Sequence, residues 1–115
     1  MFENHQHRVD DLSQGFSIFK TLVLKEIERG HAVDAIGFYQ TGLVRPLIEV
    51  LGMIYRPFKS DFGMRYTHMT FPLDKQKLIE DLNYIARFED LPTMVKKVEE
   101  AFVDAVQLVK SKSKL

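Results

Sequence analysis

The sequence predicts an all-α domain: a four-helix antiparallel bundle with a long ordered aromatic loop between the second and third helices. Three observations carry that expectation. Apolar residues recur every three or four positions through most of the chain, the spacing of one helix face. No segment shows the sustained apolar–polar alternation of a half-buried strand. The chain has 115 residues, 45% of them hydrophobic and 28% charged, which suits one core in a single domain. The expected organisation is a flexible lead-in over 1–12, one helical domain over 13–111 and a frayed tail over 112–115.

The elements follow in order. The first dozen residues, MFENHQHRVDDL, are mostly polar and show no sustained period. Ser13 stands where a helix cap belongs, ahead of Phe16, Phe19, Leu22, Val23 and Ile27, with Ile18 and Leu24 widening the stripe. Gly30 after Arg29 reads as the stop of this first helix. A longer stripe begins at His31 and runs through Val33, Ile36, Tyr39 or Gln40, Leu43, Leu47, Val50 and Ile54. Phe38, Val44, Ile48 and Leu51 thicken it until little polar surface remains, as in a helix surrounded by its neighbours. Gly37, Gly42 and Pro46 disturb it: each glycine costs about 1 kcal/mol against alanine in a helix interior, and proline removes a backbone donor and clashes one turn back. Either the helix kinks there, or two helices meet with Pro46 in the first turn of the second. Glycines at 37, 42 and 52 also allow a neighbouring helix to approach closely.

From Tyr55 to Pro72 the period disappears in a stretch rich in aromatics, proline and glycine. Such a segment is an ordered loop, and a loop this long in a small domain is usually functional. Pro72 and Asp74 open a third helix through Leu78, Ile79, Leu82 and Ile85, expected to stop near Phe88. Asp90 and Pro92 open a fourth, with Leu91, Val95, Val98, Phe102, Ala105 and Val109 on its apolar face.

Composition excludes several chemistries. There is no cysteine, hence no disulfide, thiolate metal site or cysteine nucleophile. The net charge is +0, so nucleic acid is not an expected partner and a membrane surface is not either. No apolar run reaches the roughly 18 residues of a spanning helix, and the first residues lack a signal peptide's apolar core. The expected location is cytoplasmic, and a neutral surface leaves self-association open. Asp-x-Asp, His-Glu-x-x-His and a glycine-rich phosphate loop are all missing, so metal-assisted phosphoryl transfer and zinc hydrolysis lack their ligands. No catalytic residue and no metal ligand is assigned. His5 and His7 form an H-x-H without a supporting shell, and His31 reads as a surface residue at a helix start. The acidic stretch from Glu80 to Asp104 reads as a solvated side.

What remains is a basic and aromatic cluster. Arg45, Arg56, Lys59 and Arg65 alternate with Tyr55, Phe58, Phe62 and Tyr66, and His68 follows. Guanidinium forks bind phosphate or carboxylate and aromatic faces stack on planar rings, so Arg45, Arg56, Arg65, Tyr66 and His68 are the candidate substrate- or partner-binding residues. The alternative is that the phenylalanines plug the open end of the bundle while Arg65 pairs with Asp61.

The motifs R-G-x-x-x-x-A (Arg29 to Ala35), F-Y…L-x-R-P-L-x-E-x-L (Phe38 to Leu51) and Y-x-P-x-x-x-D-F-G-x-R-Y (Tyr55 to Tyr66) resemble a known family. They look like the helical C-terminal region of bacterial polymerase-β-like nucleotidyltransferases, the group that includes aminoglycoside-modifying enzymes. The positions that match are Arg45, Glu49, Tyr55, Asp61, Arg65 and Tyr66. Two positions depart: Gly52 stands where family members read Arg, and Thr70-Phe71-Pro72 where they read Asp-Leu-Pro. The resemblance implies a non-catalytic helical domain that shapes the acceptor side of the cleft. Its partner is then a catalytic domain, in cis or in trans, which binds the magnesium and the nucleotide, while a small-molecule acceptor lies between the two. The other function expected from the residues is a free-standing helical interaction protein that works as a homodimer, favoured by an exposed Gly37/Gly42 ridge.

Overall fold

The computed structural model describes residues 2–55 and 71–113, and the chain is all-α, with no strand among those residues. Helix α1 spans Phe2–Glu28. It starts well before Ser13, so the expected lead-in over 1–12 is corrected: Val9 and Leu12 are buried with Phe16 and Val23 along one line of the helix. Two apolar residues among many polar ones were enough, because only one face of a helix has to be covered. The same packing leaves Ile18 and Leu24 exposed, so they do not widen the buried stripe.

The end of α1 follows the sequence closely. Gly30 takes φ 74°, the left-handed conformation that glycine adopts without strain. Its N–H donates to the Ile27 carbonyl, and the His31 N–H donates to the Glu26 carbonyl. Together these two bonds close a Schellman turn.

Helix α2 is Ala32–Tyr39, a π-helical turn covers Gln40–Val44, and α3 is Arg45–Tyr55. They run on as one rod, so the described residues form four helical rods. The kink and the two-helix expectations merge here. Pro46 has no N–H to give, and the widened turn places the preceding bond from the Arg45 N–H to the Gln40 carbonyl, which also relieves the ring's clash with the turn below. Gly42 lies in this turn beneath Phe19 of α1. A Cβ there would fall 2.0 Å from the Phe19 ring and 2.3 Å from its Cβ. By contrast Gly37 is exposed, with nothing within 4 Å of a Cβ.

Pro72 precedes α4, Leu73–Asn83, and its carbonyl accepts the N–H groups of Lys75 and Gln76. The helix ends at Asn83, five residues before the expected stop. The Asn83 side chain donates to the Ile79 carbonyl at 2.9 Å and Tyr84 turns extended, as asparagine competing for backbone partners allows. A 3₁₀ turn, Phe88–Asp90, leads into α5, Leu91–Ser113, with Pro92 in its first turn. All six residues expected on the apolar face of α5 are buried.

The core forms where α1, the π turn, α3 and α5 face one another. Leu43, Val44, Leu47, Ile48 and Val50 are fully buried, and each contributes roughly 1.5–3 kcal/mol over an exposed side chain. The Phe16 and Phe102 rings stack between α1 and α5 with centroids 4.3 Å apart. Lys20 bonds Glu99 at 2.7 Å and Lys110 lies 4.0 Å from Asp10 across the same pair of helices. No described helix is long and apolar enough to cross a membrane.

Candidate functional site

Of the five residues singled out by the sequence, Arg45 is described and opens α3 as an exposed side chain. Arg56, Arg65, Tyr66 and His68 lie outside the described residues, as does most of the expected aromatic loop. The residues on either side of that segment meet: the Tyr55 and Phe71 rings lie 5.9 Å apart at a tilt of 53°. Phe71 is buried and its carbonyl accepts the Gln76 amide at 2.7 Å. The last turn of α3 and the entry to α4 are therefore joined.

Beside this junction an open groove of about 350 Å³ runs between α3, α4 and α5. Its apolar floor is Leu51, Leu78, Ala101, Ala105 and Leu108, with Tyr55 at one end. Lys75, Lys97, Glu100 and Asp104 stand around it. On its α5 side the groove is lined by Ala101 and Ala105, small side chains that leave open a volume larger ones would fill. Both signs of charge over an apolar base suit a ligand that carries amines and hydroxyls or carboxylates. The sequence reading treats Glu80 to Asp104 as a solvated side, and Lys97, Glu100 and Asp104 are exposed, but it does not identify them as the rim of a groove. The signal available was the Lys97, Ala101, Asp104/Ala105, Leu108 spacing, one face of α5.

Glu49, one of the motif positions, is held across the fold. Both of its carboxylate oxygens accept from the Arg8 guanidinium of α1, Oε1 at 2.9 Å from Nη2. This forked pair raises the Arg8 pKa, chiefly through the hydrogen bond to Glu49, and ties α1 to α3. Tyr39, within the Phe38–Leu51 motif, is fully buried and its hydroxyl donates to the Leu82 carbonyl at 2.6 Å. Burial pushes its phenol well above the ordinary value of 10.0. Its position ties α2 to the last turn of α4, so its part in the motif is architectural. Gly42 is buried under Phe19, so the glycine ridge that would favour a homodimer is not an exposed surface.

On the α1–α2 turn, His31 Nδ1 lies 2.7 Å from Glu26 Oε2, and Arg29 Nη1 lies 2.9 Å from Glu26 Oε1. The hydrogen bond from His31, followed by that from Arg29, holds the Glu26 carboxyl below its ordinary value. The Asp34 carboxylate stands 4.0 Å from the same imidazole nitrogen. Comparison with protein-family models, with curated proteins and with solved structures finds no match to this chain.

Proposed function

We propose that this chain is a binding domain that shapes the acceptor side of a nucleotidyltransferase cleft, with the reaction centre carried by a partner catalytic domain. The observation that carries this reading is the groove of about 350 Å³ between α3, α4 and α5, with Tyr55 at one end. Its size and its mixed charges over an apolar floor suit a small polar acceptor. Arg45 is exposed on the same helix as Leu51 and Tyr55, and the family resemblance covers that helix. Arg56, Arg65, Tyr66 and His68 would extend the site under this reading. The fold is read as an antiparallel four-helix bundle. In support, Asp10 faces Lys110, Phe16 faces Phe102 and Lys20 faces Glu99, so residue numbers rise along α1 as they fall along α5.

The test begins with the reading frames beside this coding segment. A frame encoding Gly-Ser followed by Asp-x-Asp supplies the catalytic partner, and its product should co-elute with this chain from a sizing column. Leu108→Glu and Lys97→Glu, both at exposed positions of the groove, should abolish acceptor-dependent nucleotide transfer while helix content stays unchanged. Absence of such a frame, together with a stable dimer of the chain alone that both variants leave intact, refutes this function. That outcome favours the homodimeric interaction protein instead.

A further inference from the structure

We infer that Glu26, His31 and Asp34 form a binding site for a divalent transition cation such as Zn²⁺ on the turn between α1 and α2. This inference is independent of the groove and of any catalytic partner. One oxygen or nitrogen from each of the three residues lies within 4.8 Å of the others. Around a tetrahedral zinc with bonds near 2.0–2.1 Å, ligand atoms stand about 3.4 Å apart. The two separations from His31 Nδ1, 2.7 Å to Glu26 and 4.0 Å to Asp34, bracket that spacing. Small side-chain rotations would bring all three atoms onto one cation.

The donor set is chemically apt. An imidazole with two carboxylates suits zinc, cobalt or nickel better than calcium or magnesium, which favour all-oxygen shells. Two negative charges match the cation, while Arg29 holds the other oxygen of Glu26 at 2.9 Å. That contact fixes the carboxylate plane and leaves Oε2 directed at the site. The backbone beneath is already set by the Schellman turn, with Gly30 at φ 74°, so ordering the ligands costs little further entropy. The His31 and Asp34 side chains are 54% and 66% exposed, which leaves room for water to complete the coordination. On binding, Nδ1 gives its lone pair to the cation and the neutral ring carries its single proton on Nε2.

The experiment is a titration of the metal-free full chain with ZnCl₂, followed by calorimetry and by ¹⁵N resonances of the histidine rings. It is run on a His5→Gln/His7→Gln background so that the H-x-H near the N-terminus contributes nothing. One equivalent should bind, with the His31 Nδ1 resonance shifting in step. Asp34→Asn and His31→Gln should each weaken binding by at least about tenfold with helix content by circular dichroism unchanged. An unshifted His31 Nδ1 in the parent protein overturns the proposal, whatever the variants do. So does binding that vanishes in the His5/His7 background, or affinity indifferent to both substitutions.

Discussion

Removing a single oxygen, by Tyr39→Phe, examines how the π-helical rod is fastened to α4. The Tyr39 hydroxyl donates to the Leu82 carbonyl at 2.6 Å, and both residues are almost completely buried. Leu82 lies in the last turn of α4, where carbonyls have no partner within the helix. Phenylalanine preserves the ring packing but leaves that carbonyl without its donor. A buried acceptor deprived of its partner costs about 1–3 kcal/mol. For a domain near 100 residues this lowers Tm by about 4–12 °C. Urea unfolding followed at the helix band should show a lower midpoint with an unchanged slope. A second readout comes from alkaline pH. Burial keeps the folded Tyr39 phenol neutral above its ordinary 10.0, so the bond's stabilisation is complete below that value. As pH rises beyond 10.0 the unfolded chain loses the Tyr39 proton while the folded chain keeps it, which draws the equilibrium toward unfolding. The variant has no such proton, and the other tyrosines are common to both proteins. The stability gap between them should therefore narrow above that pH. A midpoint within error of the parent, or a gap constant with pH, refutes the assignment of Tyr39 as a buried donor.

A substitution and a truncation address the fold. Gly42→Ala places a methyl against Phe19 and should destabilise by about 1–3 kcal/mol through overpacking. Phe19→Ala should not restore stability, because Phe19 Cβ itself lies 2.3 Å from the new atom. A variant stabilised by about 1 kcal/mol, as helix propensity alone predicts, contradicts the close approach. Deletion of residues 1–12 removes Val9 and Leu12 from the core, at about 1.5–3 kcal/mol each, and also removes the Arg8–Glu49 pair. The truncated chain should unfold at clearly lower urea, and an unchanged midpoint would restore the view of that segment as a lead-in.

Local chemistry was legible where one residue decides a conformation. Gly30 ended α1 because a left-handed turn there suits glycine, and Pro46 marked the break because it lacks an N–H. The apolar face of α5 was legible for a related reason: its period was strong enough that every residue on it became buried. The site was less legible. Of its expected residues only Arg45 lies among those described, and the charged α5 residues at the groove, exposed as expected, were not recognised as its rim. An acidic surface and the wall of a groove have the same composition and differ in what stands opposite.

The all-α class and the breaks at Gly30 and Pro46 are properties of this sequence alone, since hydrophobic period, glycine and proline act within a few residues. What the tertiary structure decided is which weak signals count. It drew Val9 and Leu12 into the core although their neighbours are polar, and left Ile18 and Val33 outside although both are apolar. It placed Phe19 over Gly42, Arg8 on Glu49 and Tyr39 on the end of α4. Those choices depend on the volume and partners that distant segments bring together, and a periodic pattern read along one helix does not contain that information.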